Sequence, residues 1–204
     1  IKLLEQFSEN QSSVDLHSAH SEIKKAPKVA FVFSGQGSVY AGMSKTLYLQ
    51  QPSFARALDA CSVILDEVLD TPLLQLIHSD DEESNRLLNT KAQYAQPALF
   101  SVQYALSQMW IALGLTPCAV AGHSLGEYAA ACIAGMMSLK DTLLLVTERG
   151  RLTDTITTDG SMLVVFSHID IIKPLIEQHS SLVSVAVQNS DTNVVLSGDV
   201  SALR

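Results

Sequence analysis

Residues 122–126 read Gly-His-Ser-Leu-Gly. They lie between a short apolar run, Cys118-Ala119-Val120-Ala121, and a small, alanine-rich stretch, Leu125 to Met137. The run predicts a buried strand, and the stretch predicts a helix able to pack very closely. A G-x-S-x-G sequence that joins a strand to a helix is the context of a nucleophile elbow. In such a turn the serine hydroxyl projects from the sheet's edge, and the flanking glycines leave room for strand and helix to cross. Position 124 also lies beside the first turn of a helix, whose free N–H groups favour developing negative charge. Composition alone produces this pattern about once in 3,000 starting positions, so the strand–helix context carries much of the argument. The competing reading is an ordinary tight turn.

The rest of the chain supplies a body around that junction. Val29 to Phe33 is a continuous apolar run between Pro27 and Ser34-Gly35-Gln36-Gly37-Ser38, which predicts a strand buried on both faces. Phe54, Leu58, Val63, Leu65 and Val68 recur at helical spacing over 52–69. Asp80 to Asn85 reads as a charged, solvated loop. Pro97 to Leu113 reads as a buried helix with Leu99, Phe100, Val102, Leu106, Met109, Trp110 and Leu113 inside. Pro97 suits its first turn, and Gly114 and Pro117 end it. Ser138 reads as the N-cap of a helix over 139–153, with Asp141 in its first turn.

The last part has another rhythm. It predicts a strand over 161–166, a helix over 170–179, strands over 182–187 and 193–197, and a helix starting at Asp199. This β-α-β-β-α order is most of a ferredoxin-like unit. The fold class is therefore α/β: a hydrolase-like parallel-sheet body over 28–157, with an inserted ferredoxin-like subdomain over 158–204. The chain stops inside that subdomain. Residues 1–27, with Ser, His and Asn and no sustained apolar period, read as a linker or N-terminal extension.

Composition removes several function classes. Twenty-one acidic and thirteen basic residues give a net charge of −8, a poor match to phosphate backbones, so no nucleic-acid partner is expected. The 204 residues, 47% hydrophobic and 17% charged, suit one globular domain with a sizeable core. Cys61, Cys118 and Cys132 are too scattered for a disulfide framework or a zinc site, and read as reduced thiols. Ala119 to Met137 is interrupted by His123, Ser124 and Glu127, short of the roughly 18 apolar residues that cross a membrane. The N-terminus starts with Ile and lacks the parts of a signal peptide. A cytoplasmic chain, cut from something longer or missing its start, is the expectation.

Two further features bear on chemistry. Gly35-Gln36-Gly37-Ser38 follows a strand but lacks both the P-loop and the G-x-G-x-x-G spacing, position 40 being Tyr. It reads as a loop that offers backbone N–H groups near a reacting centre. Arg149 lies twenty-five residues past Ser124 on the next helix. Its guanidinium can fork onto a carboxylate. A plain surface role is the other reading, and it fits Arg151 as well.

Together with Phe31 to Ser38, Ala95-Gln-Pro-Ala-Leu-Phe100, Gly122 to Tyr128, Arg149-Gly-Arg-Leu152, Gly160-Ser-Met162, and Asn189 followed by Val194 to Gly198, these features form an ordered set. On that set the chain resembles the malonyl-CoA:acyl-carrier-protein acyltransferase family, most of all the acyltransferase domains of modular polyketide synthases. The resemblance runs from about Val29 to Gly198. It implies a ping-pong transfer in which Ser124 takes an acyl group from an acyl-CoA and a carrier protein's phosphopantetheine thiol collects it. It implies an oxyanion held by the backbone N–H groups of Gln36 and Leu125, and Arg149 paired with the free carboxylate of a malonyl-type group. Gln96, His123 and Asn189 match residues that line or support the pocket. Leu125 after the serine, with the Gln96 segment, resembles malonyl-selective members; hydroxy- and aminomalonyl groups stay open. No cofactor is bound by the chain itself, because CoA and phosphopantetheine arrive as substrates. Acyl carrier protein and neighbouring synthase domains are the implied partners.

The family's catalytic histidine lies beyond residue 204. None of His17, His20, His78, His123, His168 and His179 sits in its motif, so no base is assigned. Two readings from other classes remain. A serine hydrolase, such as a thioesterase or lipase, shares the elbow but needs neither Arg149 nor the Gly35–Ser38 loop. A non-catalytic module that docks carrier protein is the other.

Overall fold

The computed structural model describes residues 27–37, 39–156 and 159–204. The proposed linker lies almost entirely outside them, as do Ser38 and the boundary at 157–158.

The elbow's strand, β2 (Ala119–Gly122), pairs in parallel with β1 (Ala30–Phe33), in a register that sets Phe33 opposite Gly122. Between them run α1 (Lys45–Gln50), α2 (Pro52–Leu65), α3 (Leu73–His78), α4 (Glu82–Thr90) and α5 (Ala92–Ala112). After β2 come α6 (Gly126–Ile133) and α7 (Leu139–Asp154). Phe54, Leu58, Cys61, Leu65, Phe100, Leu125, Leu143 and Val146 form the centre of the core these elements share. Both buried thiols lie in it, and burial pushes Cys61 up to about 12. All three cysteines are free, and Cys118 is exposed.

Helix ends follow local chemistry. The Ser138 side chain accepts from the Asp141 N–H at 3.1 Å, as an N-cap should. Gly114 (φ 92°) and Gly135 (φ 75°) close α5 and α6 in left-handed turns. In each, the glycine N–H returns to the carbonyl three residues back, and the next N–H to the one five back. Gly135 thus ends α6 earlier than the predicted stretch to Met137.

Further expectations change. Asp80 to Asn85 is not a loop: Asp81 accepts from the Ser84 N–H at 2.6 Å and starts α4. Helix α5 begins at Ala92, which leaves Pro97 inside it. The reason lies far away in sequence, because the Asp154 carboxylate accepts from the Ala92 and Gln93 N–H groups at 2.9 and 3.0 Å. Trp110 and Leu113 are 44% and 62% exposed rather than inside, and Val32 of β1 is 78% exposed. Among the described residues, β1 borders an open groove of about 450 Å³ that Leu106, Trp110 and Leu115 also line. An apolar run tells that a strand suits burial, not what covers it. Lastly, Asp199 ends a strand and caps a single turn through Ser201 and Ala202 instead of opening a helix.

The second sheet is antiparallel, in the order β3 (Gly160–Val165), β5 (Asn193–Asp199), β4 (Val183–Ser190). Helix α8 (Ile169–Gln178) connects β3 to β4. Ile172, Val183, Val194 and Leu196 form its own small core.

Candidate active site

Ser124 has φ 53°, one of two non-glycine residues with positive φ among those described. That left-handed conformation is sterically costly for an L-residue and marks a position held by its surroundings. The holding contacts are clear. The His123 N–H donates to Phe33 O at 2.9 Å, tying the elbow to β1. A Cβ on Gly122 would lie 2.2 Å from the Glu127 nitrogen, and one on Gly126 would lie 2.3 Å from Phe33 O. Both glycines are therefore required by close backbone approach.

The Gly35–Gly37 loop stands against this elbow. A Cβ on Gly35 would meet His123 Nδ1 and O at 3.1 Å and the Ser124 Cβ at 3.4 Å. Among the described residues, no acceptor takes a hydrogen bond from the Gln36 or Leu125 amide. Leu125 itself is fully buried, and its side chain anchors the turn in the core.

Arg149 and Arg151 separate here. Arg151 pairs with Glu148 at 2.6 Å on the surface. Arg149 turns inward, donating from Nη1 to Oε1 of the buried Gln96 at 2.7 Å. Its guanidinium carbon lies 5.9 Å from the Tyr128 ring centroid, within cation–π range. Among the described residues, no carboxylate lies within ion-pair distance of it. A cavity of about 480 Å³ is lined by Ser124, Glu127, Tyr128, Ala131, Met137 and Arg149. A hydroxyl and a guanidinium without an acid partner thus share one space.

The other candidates are placed differently. Gln96 reaches the cavity through Arg149. The His123 ring packs at Gly35 and is not among the cavity's lining residues. Asn189 lies in the second sheet, where its Nδ2 donates to Asn193 Oδ1 at 3.2 Å. Among the described residues no histidine lines the cavity. Sequence reasoning missed Glu127, Tyr128, Ala131 and Met137. Tyr128 and Ala131 fall four and seven residues past Ser124, so helical spacing would have found them. Nothing local flags Met137. Among the described residues no group of His, Cys, Asp and Glu is arranged for a metal, and no helix is long and apolar enough to cross a membrane.

A family model described as acyl transferase domain matches residues 30–204. The PKS-NRPS hybrid synthetase ATPKS of Aspergillus niger is 37% identical over 187 residues, 91% of this chain and 10% of that protein. The acyltransferase domain from the second module of the salinomycin polyketide synthase superposes with a TM-score of 0.85 at 34% identity, over 99% of this chain and 46% of that one. MCAT from Streptococcus pneumoniae gives 0.74 at 31%, over 85% of this chain and 56% of that one. The chain thus spans about half the length of the solved structures it matches, and a tenth of the synthetase.

Proposed function

The chain belongs to the acyl transferase domain family, and on that premise we propose that it moves a malonyl-type acyl group from coenzyme A to the phosphopantetheine thiol of an acyl carrier protein, in polyketide or fatty-acid assembly. The carrying observation is the shared cavity of Ser124 and Arg149. The Ser124 hydroxyl attacks the thioester carbonyl and forms a C–O bond. The oxyanion sits between the Gln36 and Leu125 N–H groups, a type of donor pair whose single loss typically costs about 3–4 kcal/mol of transition-state stabilisation. The C–S bond breaks, and CoA leaves with the serine's proton. The carrier thiol then attacks the ester in the same sense and regenerates the hydroxyl. No resident cofactor enters, because both thiols are substrates.

Arg149 selects the acyl group. Gln96 and Tyr128 hold its guanidinium, so the group is organised before substrate arrives. A malonyl carboxylate forms a charge-assisted pair with it, whereas an acetyl group leaves it unpaired. The β3-α8-β4-β5 unit supports the reading of an inserted ferredoxin-like subdomain over 158–204, beside a body over 28–157.

The test is intact-protein mass spectrometry of the full-length protein that carries this chain, incubated with malonyl-CoA and separately with acetyl-CoA. A malonyl adduct on Ser124, lost in Ser124→Ala and far weaker with acetyl-CoA, is the expected result. Release of CoA without an adduct would point to a hydrolase. Neither adduct nor release would leave a docking module.

A further inference from the structure

Helix α5 carries two buried glutamines seven residues apart, Gln96 and Gln103. Seven residues are nearly two turns, so both side chains leave the same side of the helix, about 10 Å apart along its axis. Gln96 holds Arg149. Gln103 Nε2 donates to Ser34 O at 2.8 Å and lies 3.3 Å from Ser34 Oγ. The Ser34 carbonyl is wedged between this amide and the elbow, since a Cβ on Gly126 would lie 2.8 Å from it. Fixing that carbonyl fixes the Ser34–Gly35 peptide plane. The next peptide along carries the Gln36 N–H.

We propose that Gln103 is a positioning residue for the oxyanion donor at Gln36, and that α5 thereby spaces that donor from the Arg149 clamp held two turns earlier. The proposal rests on the acyl-transfer reading. Gln103 Oε1 is buried and has no partner among the described residues. A leucine would fill the same space without desolvating an unpaired oxygen, so packing alone does not account for an amide here. What the amide adds is its grip on Ser34.

Holding the donor matters to the transition state and little to the bound thioester, so its loss should appear in kcat. The experiment is steady-state malonyl transfer by the full-length protein, with Gln103→Leu against wild type. The expected result is a kcat lower by about 10- to 100-fold, with KM for malonyl-CoA within about threefold. A kcat within twofold of wild type, or a KM that rises as much as kcat falls, overturns the positioning role. If Gln103→Leu does not fold, Gln103→Met asks the same question, because it keeps the side chain's length and removes the N–H that Ser34 O accepts. Lower kcat with steady KM then supports the proposal, and an unchanged kcat overturns it. A wild-type protein that forms no Ser124 adduct fails the acyl-transfer reading itself, before either variant is compared.

Discussion

Ser124 and Arg149 are each committed by neighbours that leave them no easy alternative. The serine is in a left-handed conformation between two glycines that admit no Cβ. The arginine is gripped by one amide and faces one ring, while the next arginine in sequence, Arg151, is occupied by Glu148. This sorting of two nearly adjacent arginines gives a prediction at the residue scale. Arg149→Ala should reduce malonyl loading on Ser124 by more than about tenfold, because a charge-assisted bond is lost, and acetyl loading by less than about threefold. Arg151→Ala should change neither by more than about twofold, since an exposed helix pair contributes little. Adduct formation with the two CoA esters measures both. Equal losses for malonyl and acetyl in Arg149→Ala would remove the carboxylate clamp from the mechanism.

At the level of elements, α5 and α7 act as one unit. Gly150 lets the helices touch, since its Cβ would fall 2.4 Å from Ala92 O. Asp154, at the end of α7, caps the start of α5 with both carboxylate oxygens. The cap and the Arg149–Gln96 bond join the two helices about a turn apart, so the cap also helps to hold Arg149 beside Gln96. Asp154→Ala should therefore lower stability by about 1–2 kcal/mol in denaturant unfolding, with Asp154→Asn losing less. An unchanged midpoint in Asp154→Ala would show the cap to be idle. The helix from Ala92 was hard to read locally for the same reason. Pro97 looks like a first-turn proline, and only a carboxylate from another helix makes five residues before it helical.

On the scale of the whole molecule, burial sorts residues that the sequence treats alike. Cys61 and Cys132 lie in the core with their thiols pushed up by burial, and Cys118 is exposed at the approach to β2. A thiolate is the reactive form, so native maleimide labelling should modify Cys118 first. Cys61 and Cys132 should follow only on unfolding, read by peptide mass mapping. Labelling of Cys61 at a rate comparable to Cys118 would contradict this core. The same contrast runs through the apolar residues. Phe54 and Phe100 are fully buried, while Val32 and Trp110 stand open along the β1 groove.

The elbow, the cap at Ser138 and the stop at Gly114 were legible in the amino-acid sequence alone. The two helix ends depend on interactions within a few residues, and the elbow shows itself by particular residues at particular offsets although Phe33 of β1 helps to hold it. The acyltransferase resemblance was legible too, through its ordered motifs. The bond that turns Arg149 inward onto Gln96, the start of α5, the grip of Gln103 on Ser34 and the exposure of β1 were decided by tertiary structure. The bonds behind the first three join residues 53 to 69 positions apart. No local period encodes such partners, because chain folding, not sequence spacing, brings them together.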